Sequence, residues 1–124
     1  MENSKKSQKY DLEERTAVFG EKVIALCKTF KQDTISTPII SQIVRSATSV
    51  GANYMEANGA QSIKDFIHKI SICKKEANET KYWLRMLASY FEPKKEEIRE
   101  LWKECQELTL IFQKIVMTSR QKSD

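Results

Sequence analysis

Glycine and proline are scarce in this 124-residue chain, with three of one and two of the other. A β-sandwich or barrel needs a turn about every 8–12 residues, and so few turn formers cannot supply them. There is one histidine, His68, and the three cysteines, Cys27, Cys73 and Cys105, lie far apart. That is thin material for a metal centre or a Cys/His nucleophile pair. Three separated glycines cannot build a phosphate-cradling loop. No apolar run approaches the ~18 residues of a membrane span. The stretch from Met1 to Arg15 lacks the apolar centre of a signal peptide. An odd number of cysteines inside helix-like segments reads as reduced thiols in a cytoplasmic protein. Charge of one sign is lacking too: 21 basic and 17 acidic side chains leave a net +4. Such a chain admits an anionic partner without requiring one.

What is present is helix-forming. Forty per cent of residues are hydrophobic and 31% charged. That supports one cored domain built from long helices rich in Glu, Lys, Leu, Ile and Ala. Asp11 and Glu14 stand at capping-box spacing. Leu12, Phe19, Val23, Leu26, Cys27 and Phe30 then recur at helical steps. Thr37-Pro38 marks a second start. Ile40, Ile43, Ala47, Val50 and Tyr54 follow on one face, and Asn58-Gly59 stops the helix, with Gly59 predicted in the left-handed conformation. Ser62 and Asp65 form another capping pair. They open a long stripe of Phe66, Ile70, Cys73, Ala77, Thr80, Leu84, Leu87 and Phe91. Beyond Pro93 the fourth stripe is Ile98, Leu101, Trp102, Cys105, Leu108, Thr109, Phe112, Ile115 and Val116. The prediction is all-α: an antiparallel up-down-up-down four-helix bundle over residues 11–118. Residues 1–10 are expected to be disordered and 119–124 frayed.

Several residues are not accounted for by a one-sided core. Gln42, Arg45, Ser49, Asn53 and Glu56 share the polar side of the second helix. The run from Ser46 to Ala52 is small nearly all round, which suits a helix packed on two sides; a solvated polar face is the alternative. On the third helix, Ile72, Trp83 and Tyr90 flank the core stripe beside Glu76 and Glu79. They widen the core or form a subunit interface, where Trp and Tyr are enriched. Lys74, Lys81 and Arg85 line the opposite flank, as a solvated edge or as a phosphate-contacting strip. Glu56, Glu76 and Glu79 invite a di-metal reading, but that site needs Glu-x-x-His pairs on two helices and the chain has none. Arg45 is expected to pair with one of those three carboxylates.

Three stretches carry a family resemblance: Asp11-Leu12 with Arg15 and Phe19, the run from Gln42 to Phe66, and the run from Lys74 to Leu87. There the sequence resembles the bacterial 23S rRNA intervening-sequence protein family, also called four helix bundle proteins. The resemblance implies a bundle that assembles into a homopentamer. It also implies similarity to the accessory variability determinant protein of diversity-generating retroelements, a pentamer that binds nucleic acid and partners a reverse transcriptase. It supplies no catalytic residues, and no cofactor or metal is expected. It marks Arg45, Ser46, Ser49, Gly51, Asn53, Glu56, Asp65, Phe66, Glu76, Glu79 and Trp83 as signature positions. The expected function is therefore a non-enzymatic, oligomeric, cytoplasmic accessory protein that binds RNA or DNA through Lys74, Lys81 and Arg85. A protein-binding scaffold ring with no nucleic-acid role is the alternative.

Overall fold

The structure, a computed structural model, describes residues 11–123; the expected disordered segment 1–10 lies outside them. The described residues form four α-helices and no strands: α1 (Leu12–Cys27), α2 (Ser36–Asn58), α3 (Ile63–Tyr90) and α4 (Lys95–Ser123). A short 3₁₀ turn, Glu92–Lys94, holds Pro93 between α3 and α4. Two of the predicted caps are in place. The Asp11 carboxylate accepts the Glu14 N–H at 3.1 Å, and the Ser62 hydroxyl accepts the Asp65 N–H at 3.0 Å.

Three sequence expectations differ in detail. The start of α2 is built by Asp33 rather than Thr37. Asp33 accepts the N–H groups of Ile35 and Ser36 at 2.9 and 2.8 Å, and its carboxylate also accepts the Tyr90 hydroxyl. A carboxylate takes several donors at once, which a threonine hydroxyl cannot. Gly59 ends α2 at φ −97°, so the left-handed turn is not used. And α4 runs on to Ser123, past the end expected at 118. Val116 keeps it on the core, and Arg120 and Lys122 in its last turn complement the helix dipole.

The core is continuous along the bundle. Phe19, Val23, Ile43, Val50, Ile70, Leu84, Leu87, Leu108 and Phe112 are essentially sealed from solvent. Phe66, by contrast, is only half-buried. Facing positions pair in order along the helices. The Thr80 hydroxyl donates to Ser46 at 2.8 Å, and the Cys73 thiol to the Val50 carbonyl at 3.5 Å. Lys69 bridges Glu56 at 3.0 Å. Toward α4, Lys74 meets Gln113, and Lys81 meets Gln106.

The small run of α2 is explained within this one chain. A Cβ on Gly51 would lie 3.2 Å from the Thr16 hydroxyl of α1, and one on Gly20 would lie 3.8 Å from the Ala47 carbonyl. The Ser46 side chain faces α3 instead, and the Val50 carbonyl accepts from Cys73 of α3. So α2 is packed on two sides, by α1 and by α3. Among the helix pairs that touch, α1 and α4 approach each other least closely. Arg15 ties them: it donates twice to the Glu104 carboxylate, both at 2.8 Å, and reaches Glu107 at 3.0 Å. The hydrogen bonds to Glu104 push its guanidinium pKa further up. Beyond that clasp the two helices leave a groove of about 840 Å³. Leu26 and Leu101 lie in it, and Glu97, Glu100, Glu104 and Glu107 are among its walls.

Candidate nucleic-acid interface

Lys74, Lys81 and Arg85 recur on α3 at intervals of seven and four, which places them along one side of the helix. That side is the seam with α4. Lys74 donates to the side-chain oxygen of Gln113 and Lys81 to that of Gln106. Lys81 also stands 5.4 Å from the centre of the Trp102 ring, within cation–π range. Arg85 is exposed. Among the described residues none of the three forms an ion pair within 4 Å of a carboxylate. The partners that hold the two lysines are neutral amides. Amides fix an ammonium in place without cancelling its charge, so the seam keeps its positive field.

The seam extends beyond the predicted strip. Toward the α4 N-terminus, Arg85 shares a shallow groove with Lys95, Arg99, Trp102 and Lys103. Toward the other end, Lys74 and Lys75 lie across from Arg120. The strip expected from sequence omits α4, although Lys95, Arg99 and Lys103 stand at successive steps of four. Trp102 is the clearest correction. Predicted in the core stripe, it is 38% exposed, because the core-facing positions are Ile98, Leu101 and Cys105 and Trp102 falls off their edge.

The polar signature residues assemble elsewhere, on the outer face shared by α2 and α3. Arg45 donates to Glu76 at 3.1 Å and to Glu79. The Glu79 carboxylate also accepts the Trp83 indole N–H at 3.2 Å. Burial opposes ionisation of Glu79, but the hydrogen bonds from Arg45 and Trp83 hold its pKa below the ordinary range. Glu56 does not join this network; it pairs with Lys69. Ser49 and Asn53 bond back to their own helix, to the carbonyls of Arg45 at 2.7 Å and Ser49 at 2.8 Å. Trp83 is half-buried against the core, with exposed Tyr82 edge-on to it at 5.1 Å.

Among the described residues no group of His, Cys, Asp and Glu is arranged to hold a metal ion. No helix among them is long and apolar enough to cross a membrane. All three thiols are buried, with pKa values pushed up by desolvation: Cys27 to about 11, Cys73 and Cys105 to about 12.

A family described as 23S rRNA-intervening sequence protein matches residues 8–114. Among solved structures, the chain is similar to a protein with unknown function from the S23 ribosomal protein family of Bacteroides thetaiotaomicron. The two are 34% identical with a TM-score of 0.74, over 84% of this chain and 96% of that one. Comparison with curated proteins gives no match.

Proposed function

The chain belongs to the 23S rRNA-intervening sequence protein family, and from that premise we propose that it is a non-enzymatic, oligomeric accessory protein that binds nucleic acid through its basic α3–α4 seam. One observation carries this reading. Lys74, Lys81 and Arg85 keep their charge unneutralised, and two of them are held by glutamines. Phosphate contacts made by such a strip are weakly sequence-specific and salt-sensitive. The family's name ties its members to ribosomal RNA, so structured RNA is the first ligand. The retroelement resemblance adds a reverse transcriptase as protein partner. The setting of both is the cytoplasm.

Assembly belongs to the same proposal. The facing pairs 46/80 and 56/69, then 74/113 and 81/106, support an antiparallel up-down-up-down bundle. The α2–α3 outer face, with Arg45, Ser49, Asn53, Glu56, Glu76, Glu79 and Trp83, is the subunit interface in this reading. A homopentamer, the state of the resembling family, would repeat a seam from a +4 chain five times. Tethered copies of a weak site act at high effective concentration. The test is a titration of the protein with structured RNA and duplex DNA at low and near-physiological salt. Binding that weakens steeply with salt is expected; no binding at low salt overturns the proposal.

A second reading has its own observation. The groove between α1 and α4 sets Leu26 and Leu101 among four glutamates and two lysines, and each glutamate is already in an ion pair with Arg15, Lys94 or Lys103. It suits a scaffold ring that docks a segment of another protein on that apolar floor. In that case the low-salt titration with nucleic acid is silent.

A further inference from the structure

The groove beside Arg85 has a composition that phosphate binding alone does not call for. Its exposed apolar surface comes from Ala88 and Trp102, over a floor of buried Leu84 and Ile98. Its cations are Arg85, Lys95, Arg99 and Lys103, the last 3.7 Å from Glu100 outside the groove. No carboxylate lines it. It is an open groove of about 440 Å³. Trp102, which lines it, is over a third exposed and has Lys81 near its ring. The exposed part of a large indole costs hydrophobic free energy that full burial would recover. An aromatic surface set among cations is the arrangement on which single-stranded nucleic acids are held: a base stacks on the ring while flanking phosphates meet the charges. A duplex does not fit this chemistry, because its bases are already stacked on each other.

We propose that the Trp102 groove is a base-stacking site for single-stranded nucleic acid, with an unpaired base on the indole and its neighbouring phosphates on Arg85 and Arg99. This rests on the nucleic-acid function proposed above and sharpens it to a strand form and a site. The seam then has two parts. Lys74 and Lys81 serve any phosphate backbone, while the groove selects strands with free bases. Acidic protein segments are the competing occupants, including the Glu-lined α4 flank of a second copy.

The experiment titrates the full chain with an oligouridylate strand of roughly 12 nucleotides and with duplex RNA of equal length. Wild type is compared with Trp102→Leu and Trp102→Phe, each checked for helix content by circular dichroism and for size by light scattering. Trp102→Leu should loosen single-strand binding about tenfold or more, as removal of a stacking platform does, with its salt slope unchanged. Its duplex binding should equal that of wild type. Trp102→Phe keeps an aromatic face and should stay within about threefold of wild type. Oligouridylate should also quench the indole emission of wild type, and Trp102→Phe should abolish that quench, which holds even if the Leu variant folds poorly.

Quenching that persists in Trp102→Phe comes from Trp83 and overturns the proposal. So does single-strand binding that is unchanged in Trp102→Leu; if both RNA forms still bind there, the broader function stands without this site. A change of assembly size in Trp102→Leu with unchanged oligouridylate affinity makes the groove a contact between copies, again overturning it. Failure of wild type to bind either RNA at low salt removes the broader function and this site with it.

Discussion

Asp33 is a half-buried loop carboxylate with an unusual number of donors. The Tyr90 hydroxyl and the N–H groups of Ser36 and Ile35 converge on it and hold its pKa down to about 2. An unfolded aspartate titrates near 3.9. A depressed folded pKa adds stability that is fully present above the unfolded value and is lost as pH falls through the folded one. The loop contribution of Asp33 should therefore be intact above about pH 4 and fade toward pH 2. Denaturant melts of wild type and Asp33→Asn across that window are the check: wild type should lose more stability than the variant, and parallel curves would contradict the role. The thiols make the opposite kind of prediction. With Cys73 and Cys105 near 12 and buried, thiol reagents at neutral pH should label them only through unfolding. Rapid labelling of the native protein would show that the packing around them is open. At this scale the sequence is legible where a role is local. Cysteines on apolar stripes are readable as buried. The role of Asp33 is not, because Tyr90 lies 57 positions away.

The α2 helix shows how an element can be read in part. Its small run predicts close packing on two sides. The structure supplies both partners from the same chain, with Gly51 against Thr16 and Ser46 against Thr80. Gly51→Leu should cost ~1–3 kcal/mol, the usual penalty for forcing atoms into a packed contact. Leu84→Ala in the middle of α3 should cost ~2–5 kcal/mol, since Leu84 is fully buried. The α1 and α4 backbones come close at few points, and Arg15 spans the junction. Arg15→Ala leaves Glu104 without its paired donors and should destabilise by ~1–3 kcal/mol. Chemical denaturation measures all three. An Arg15→Ala effect near zero would mean the α1–α4 junction is held by packing alone. Periodicity finds all four helices because each has a continuous apolar stripe. It misplaces Trp102 because a 3.6-residue period does not distinguish the centre of a stripe from its edge, and only the tilt of α4 on α3 decides that.

The whole molecule separates its charges by face. Lys74, Lys81 and Arg85 stand on the α3–α4 seam without carboxylate partners, the glutamates of the α1–α4 groove are ion-paired, and the α2–α3 face carries the Arg45–Glu79–Trp83 network. The net charge averages over these faces, so +4 understates the seam. Assembly through the α2–α3 face would multiply that seam, and disrupting the face should weaken nucleic-acid binding without removing a basic residue. Ala52 is exposed near Ser49, Asn53 and Glu56 on α2. Ala52→Arg should therefore produce a folded, smaller species by light scattering that binds RNA more weakly despite its added charge. Trp83→Glu is a poorer probe, since it puts a carboxylate beside Glu79 and opens the core edge.

The central question is whether phosphates meet the α3–α4 seam. The most direct measurement is the salt dependence of RNA affinity for wild type against Lys74→Gln, Lys81→Gln and Arg85→Gln combined. Removing cations that neutralise phosphates should weaken low-salt binding. It should also flatten the slope of log affinity against log salt, by roughly 0.9 for each duplex phosphate no longer neutralised. A folded triple variant with wild-type affinity and wild-type slope would place the phosphates elsewhere and contradict the assignment.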